Sequence, residues 1–77
     1  MTAPKTYTII ELVGVSEVSE SEAVRSAIKR AAQTLQGLDW FEVVDVRGTI
    51  GDGGVAQFQV KLKVGFRLMT EAELKGS

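Results

Sequence analysis

The chain has 77 residues, enough for one domain, and a formal net charge of −1 with acidic and basic residues interspersed. It contains no cysteine and no histidine, which excludes disulfide bonds, thiolate chemistry and the commonest metal ligand and general base. No basic stripe points to nucleic acid, and the apolar runs are too short to span a membrane. The N-terminus carries no apolar signal core, so we expect a cytoplasmic protein.

The first half of the chain predicts one strand and one helix. Residues 7–13 are rich in β-branched and aromatic side chains, which is typical of a strand. Ser19-Glu20-Ser21-Glu22 matches a capping box, in which the Ser19 hydroxyl accepts a hydrogen bond from the Glu22 amide. Gly37 is a typical helix stop, and the apolar residues before and beside it follow helical spacing: Val24, Ala27, Ile28, Ala31, Leu35 and Leu38.

The second half predicts a β-hairpin, with strands over residues 40–50 and 55–68. Asp52-Gly53 suits a two-residue turn; a glycine-rich phosphate cradle would need a helix to follow it. Apolar residues alternate along the last strand: Ala56, Phe58, Val60, Leu62, Val64, Phe66 and Leu68. A strand of this length spans about 45 Å, more than one helix can cover, so we expect the chain to assemble with copies of itself.

The element order therefore predicts an α+β fold, β-α-β-β, with one helix on one face of a three-stranded sheet. The hairpin strands are antiparallel, whereas the residues alone leave the first strand either parallel or antiparallel. We assign residues 1–77 to a single domain, with a core over about residues 6–68 and loose tails at residues 1–5 and 69–77.

The predicted turn also sets the register of the hairpin, pairing Gly51 with Gly54. Strict alternation then places Trp40 opposite Gly65 and Val46 opposite Gln59. The face away from the helix would carry Trp40, Glu42, Val44, Val46, Gln57, Gln59, Lys61 and Arg67. A tryptophan on such a face is either an anchor of a subunit interface or a stacking surface for a planar ligand.

Spacing along the strands limits what one ligand can touch. Gly65 and Gln59 are six residues apart, roughly 20 Å, so a planar ring that contacts both Trp40 and Gln59 needs two protomers. Asp45 and Glu42 are lone carboxylates, which favours solvated or ion-paired roles over acid–base catalysis. We interpret Arg47 and Arg67 as surface or interface charges, and either could hold a phosphate. We predict no catalytic residue and no metal site.

Several segments of the chain match a known family in order and spacing. They are Glu11-Leu12-Val13-Gly14-Val15-Ser16, Leu38-Asp39-Trp40-Phe41-Glu42-Val43, Arg47-Gly48-Thr49-Ile50, Phe58-Gln59-Val60 and Val64-Gly65-Phe66-Arg67-Leu68. Over about residues 6–68 the chain resembles the dodecins, which are small flavin-binding proteins. The resemblance implies a three-stranded antiparallel sheet wrapped partly around one helix, and twelve copies assembled into a hollow shell.

The resemblance also implies roles for individual residues. Trp40 matches the tryptophan that stacks on paired flavins, and Gln59 matches the glutamine that bonds the polar edge of the isoalloxazine ring. Arg47 and Arg67 match arginines that meet the phosphate in members that prefer FMN. Asp45 matches a carboxylate near the ribityl chain.

The function implied by the resemblance is storage of flavin, not enzymatic turnover. FMN is the expected ligand, with riboflavin as a second candidate, and quenching by Trp40 would protect the bound flavin from photochemistry. The alternative is a carrier or structural shell that mainly binds coenzyme A. Basic side chains that could contact coenzyme A are Lys29, Arg30, Lys61 and Lys63. The partners expected are other copies of this chain and the flavin, without nucleic acid or membrane.

Overall fold

A computed structural model describes residues 5–68. The predictions for residues 1–4 and 69–77 lie outside the described residues. The elements are β1 (Tyr7–Ser16), α1 (Glu20–Ala32), β2 (Leu38–Gly51) and β3 (Gly54–Arg67), which confirms the predicted order. The molecule is elongated, with principal extents of 56 × 21 × 14 Å, because the two long hairpin strands set its length.

The three strands form one sheet in the order β1-β3-β2. β3 pairs antiparallel with both neighbours, so β1 is antiparallel as the family resemblance implied. Because β3 is central, β1 and β2 are both edge strands, and each has one row of backbone groups without a strand beside it in the described chain.

The start of α1 follows the predicted capping box. Ser19 has extended backbone angles, φ −166° and ψ 166°, and its Oγ accepts from the Glu22 amide at 3.1 Å. Glu20 and Glu22 lie in the first turn, and Lys29 and Arg30 lie in the last, as the helix dipole favours.

The predicted end of the helix is wrong, because α1 stops at Ala32, before Gly37. The Thr34 amide bonds the Ala31 carbonyl at 3.1 Å, a tight i→i+3 turn that ends the helix. Gly37 has φ 78° and turns the chain into β2, and its carbonyl accepts from the Arg67 amide at 2.9 Å. The residues from Gly37 onward therefore join the sheet instead of continuing the helix.

The core lies between α1 and the middle of β3. Val60, Leu62 and Val64 are buried, with Ala23 of α1 against them. A Cβ at Gly14 would overlap the Ala23 carbonyl, so glycine at this position of β1 lets the helix approach the sheet closely. Further apolar residues surround the core and are partly buried: Ile10, Leu12, Val24, Ala27, Ile28 and Leu38.

The hairpin turn is the predicted one. Gly51 pairs with Gly54, and Asp52 and Gly53 have φ of 52° and 78°. Positive φ at both central residues matches the mirror-image turn that suits twisted antiparallel strands.

The predicted register holds at both ends of the hairpin and fails in the middle. Trp40 pairs with Gly65 as predicted, but Val46 pairs with Val60 instead of Gln59. Irregularities between Val43 and Asp45 and between Thr49 and Ile50 shift the pairing by one residue in between. The prediction that Val46 lies on the face away from the helix is therefore wrong. Val44, assigned to the same face, is the unpaired residue of a bulge.

The hydrophobic pattern gives the physical reason for the bulge at Val44. Apolar residues alternate through Phe41 and Val43, and the alternation then resumes one residue out of phase at Val46. One extra residue keeps the apolar side chains on the helix side and the polar ones on the other.

Candidate ligand-binding face

The face of the sheet turned away from α1, called here the outer face, carries all five of the predicted site residues. The strand register assigns it Tyr7, Ile9, Glu11, Val13 and Val15 of β1, Trp40, Glu42, Asp45, Arg47 and Thr49 of β2, and Gln57, Gln59, Lys61, Lys63, Gly65 and Arg67 of β3. The Val44 bulge is what turns Asp45 and Arg47 to this face, because strict alternation from Trp40 would point them toward the helix.

Trp40 lies directly on the backbone of Gly65. A Cβ at Gly65 would overlap the indole and would sit 2.6 Å from its Nε1. Only glycine leaves this space, which explains why the last strand has a glycine within its alternating run. The Trp40 side chain remains 41% exposed in the single chain, so its ring offers apolar surface to a planar partner.

A hydrogen bond crosses the sheet beside Trp40. The Tyr7 phenol on β1 donates to Asp39 Oδ2 on β2 at 2.6 Å, passing over the middle strand. This bond raises the pKa of Tyr7 above its ordinary value of 10.0, helped by desolvation and by the Asp39 charge, while Arg67 acts in the opposite direction. No sequence motif marks Tyr7 or Asp39, so neither was predicted as a site residue.

A second polar contact lies farther along the hairpin. Arg47 Nε donates to Gln59 Oε1 at 2.7 Å across a directly paired position. Asp45 is two residues away on the same face and pairs with Lys61. The structure thus brings together three of the five predicted site residues: Asp45, Arg47 and Gln59.

The other two predicted residues, Trp40 and Arg67, lie at the opposite end of the face. We call the first set the distal group (Asp45, Arg47 and Gln59) and the second set, with its neighbours, the proximal group (Tyr7, Asp39, Trp40 and Arg67). Six residues of β3 separate Gly65 under Trp40 from Gln59, about 20 Å. One planar ligand therefore cannot touch both groups of the same chain.

Charged side chains occupy the outer face between the two groups. Glu42 pairs with Lys63, and Lys61 Nζ lies 3.2 Å from Glu11 Oε2. Opposite charges on neighbouring strands stabilise the sheet modestly and need no ligand to explain them.

Apolar surface is left open on the helix side of the sheet. Val46, Ile50 and Val55, near the turn of the hairpin, are 43%, 83% and 64% exposed. A groove also runs between α1 and β1, lined mainly by apolar side chains that include Leu12 and Ala27. Exposed apolar surface at these two places is typical of protein–protein contacts or ligand-binding grooves.

Residues 5–68 contain neither a metal-binding cluster nor a membrane-spanning helix. No group of three or more Asp and Glu side chains in this range could hold a metal ion. Within the same range, no helix is long and apolar enough to cross a membrane.

Fold and outer face together define a small α+β protein that presents a tryptophan on an open sheet. Comparison with known proteins identifies a family that fits this description. The family model described as Dodecin matches residues 6–69. A curated dodecin from Thermus thermophilus is 55% identical over 64 residues, which cover 83% of this chain and 93% of that protein.

Solved structures give the same result. A crystal structure from Thermus thermophilus has a TM-score of 0.84 and 52% identity, covering 87% of this chain and 98% of the other. Dodecin from Streptomyces coelicolor has a TM-score of 0.86 and 53% identity, covering 91% and 100%. The chain belongs to the dodecin family, which confirms the resemblance found in the sequence.

Proposed function

We propose that this protein binds and stores flavin, with the isoalloxazine ring stacked on Trp40. The observation that carries the proposal is the indole lying on Gly65 while remaining exposed on the outer face. A planar aromatic ligand can cover the ring without moving the backbone. Stacking of a base on an aromatic side chain contributes about 1–3 kcal/mol, and a flavin ring should gain a similar amount.

The complete site is built from more than one chain. The proximal group supplies the stacking ring, and the distal group of another copy supplies polar contacts. The separation of about 20 Å between the two groups supports this division, as does the apolar surface left open by α1. We propose that twelve copies form a hollow shell, in which flavins lie as stacked pairs between two Trp40 rings.

Polar contacts would select FMN over riboflavin. The Gln59 amide would bond the polar edge of the ring, with Asp45 near the ribityl chain. Arg47 and Arg67 would meet the phosphate, since a guanidinium forms paired, charge-assisted bonds to phosphate oxygens. Riboflavin lacks the phosphate and should bind through the ring contacts alone.

Storage and protection, without chemical turnover, are the role proposed for the bound flavin. An indole next to an excited flavin can donate an electron and return it, which quenches the flavin. The coenzyme A alternative and the cytoplasmic location stay predictions, since no contact described above favours either of them.

A fluorescence titration tests the proposal. FMN and riboflavin are titrated into the wild-type protein, Trp40→Ala, and Phe41→Leu as a matched control on the opposite face of the same strand. We expect strong quenching of FMN that saturates near one flavin per chain, with weaker binding of riboflavin. Trp40→Ala should lose the quenching, and Phe41→Leu should keep it.

Equal quenching by the wild type and Trp40→Ala would contradict stacking on this ring. Absence of quenching by either flavin would contradict flavin storage altogether. Trp40 would then be explained as an anchor between subunits.

A further inference from the structure

The proximal group contains a bond that the proposed stacking role does not use. Tyr7 and Asp39 come from the two edge strands, yet the phenol oxygen and the carboxylate oxygen are 2.6 Å apart. This distance is typical of an O–H donor bonded to an ionised carboxylate, which is among the stronger hydrogen bonds in proteins. The bond therefore ties β1 to β2 across β3.

Asp39 occupies a special position relative to Trp40. The pairing steps from Leu38–Phe66 directly to Trp40–Gly65, so Asp39 is the extra residue of an irregularity at the start of β2. An extra residue of this kind re-aims the side chains beside it. A restraint on the Asp39 carboxylate would therefore act on the backbone next to Trp40.

Backbone bonds close the same end of the sheet around this pair. The Arg67 amide donates to the Gly37 carbonyl at 2.9 Å, and the Leu68 amide donates to the Thr6 carbonyl at 2.9 Å. Tyr7 is also the register partner of Arg67. The main chain on both sides of the bond is thus held, and the Tyr7–Asp39 contact adds the side-chain connection over the middle strand.

We infer that Tyr7 and Asp39 are positioning residues for Trp40, which hold the indole flat on Gly65 through the hydrogen bond across β3. Their effect on the ligand rests on the proposed function, because it acts through the ring on which the flavin would stack. Their effect on the ring itself does not need a ligand.

The pH dependence of the bond follows from the groups that face Tyr7. Asp39 from β2 raises the pKa of Tyr7, and Arg67 from β3 lowers it, with the net pKa above 10.0. In the unfolded chain the phenol titrates near 10. The neutral phenol is therefore favoured by folding, and this contribution is complete below pH 10 and lost as the pH rises through the raised value. The bond should hold at neutral pH.

The chain is well suited to a direct test, because it contains one tyrosine and one tryptophan. Trp40 fluorescence anisotropy without ligand reports the mobility of the ring. FMN affinity is measured in parallel by fluorescence titration. The variants are Tyr7→Phe, Asp39→Ala, Asp39→Asn and the double variant of Tyr7→Phe with Asp39→Ala. Arg25→Gln, which breaks an exposed ion pair on α1, is the control.

Tyr7→Phe and Asp39→Ala should each lower the Trp40 anisotropy and weaken FMN binding about fivefold, the effect of one hydrogen bond. The double variant should be no worse than either single one, because both remove the same bond. Asp39→Asn should retain most of the affinity, since its amide oxygen still accepts from the phenol. In the wild type, anisotropy should fall as phenolate absorbance appears above pH 10.

Anisotropy and affinity equal to wild type in both single variants would overturn the inference. If Tyr7→Phe fails to fold, the positioning role is tested by comparing Asp39→Asn with Asp39→Ala. An equal loss of anisotropy and affinity in these two variants would also overturn the inference. If the wild type binds no FMN, the proposed function fails, while the anisotropy measurements still decide the positioning role.

Discussion

Two regions of the same sheet differ sharply, although both place apolar side chains on the helix side. Under α1, Val60, Leu62 and Val64 are 1%, 0% and 2% exposed. Near the turn, on the same side of the sheet, Ile50 and Val55 are 83% and 64% exposed. We call the region around Val60, Leu62 and Val64 the covered half, and residues 45–58 the distal hairpin. Alternation therefore specifies which face of a strand is apolar, but not what covers that face.

Element lengths explain the difference. α1 has 13 residues, which gives an axis of about 20 Å, whereas the 14 residues of β3 extend to about 46 Å. The helix can cover less than half of the strand. Cover for the distal hairpin would come from other copies of the chain in the proposed shell.

The largest expected effect comes from truncating one side chain in each region. Leu62→Ala removes a fully buried side chain and should lower the free energy of unfolding by about 3 kcal/mol at any protein concentration. Ile50→Ala should cost less than about 0.5 kcal/mol in the isolated chain, because its side chain is exposed there. Its effect should grow with protein concentration, since the proposed assembly would bury it. Urea unfolding over a range of concentrations measures both.

If Leu62→Ala and Ile50→Ala lower the free energy of unfolding equally in dilute protein, the two regions do not differ as described. An Ile50→Ala effect that does not change with protein concentration would show that the distal hairpin has no partner.

Two glycine substitutions test whether the helix and the tryptophan differ in how tightly they are held against the sheet. Gly14→Ala would push a methyl group into the Ala23 carbonyl, which is backbone and cannot move aside, at a cost of about 2–3 kcal/mol. Gly65→Ala would collide with the Trp40 indole, a side chain that can swing away, so stability should fall less. Trp40 fluorescence should change in Gly65→Ala and not in Gly14→Ala.

Gly54→Ala is the matched control, because a Cβ at Gly54 meets nothing within 4 Å. Unchanged Trp40 emission in Gly65→Ala would mean that the ring does not rest on this glycine.

A smaller effect is expected from the helix cap. Ser19→Ala removes the acceptor for the Glu22 amide and should cost about 1 kcal/mol, while Ser19→Asp should restore most of it. Hydrogen exchange should accelerate in α1 and in the covered half of β3, with little change near the turn. Acceleration spread evenly over the whole hairpin would argue against separate behaviour of the two regions.

The sequence predicted much of this architecture because its signals are local. The capping box and the Asp52-Gly53 turn depend on neighbouring residues, and both were confirmed. The alternation in β3 was confirmed from Phe58 to Phe66 but is interrupted at Ala56, the extra residue opposite Thr49 and Ile50. The end of α1 was not predictable in this way. The residues from Gly37 onward join the sheet through a bond between Gly37 and Arg67, which are far apart in the chain.

The site was harder to predict because it depends on bulges. Trp40 opposite Gly65 followed from the turn, but Asp45 and Arg47 reach the same face only through the extra residue at Val44. A signal for that bulge was present in the adjacent pair Val43-Val44, where the alternation changes phase. Asp39 had no comparable signal, since its partner Tyr7 comes from the opposite edge of the sheet.

In the proposed site, one chain carries two incomplete halves, which assembly joins into a flavin-binding shell. Native mass spectrometry of the protein loaded with FMN tests both parts of this proposal. We expect a particle of twelve chains with about one flavin per chain, and no flavin on any single chain. A monomer that retains FMN would contradict it.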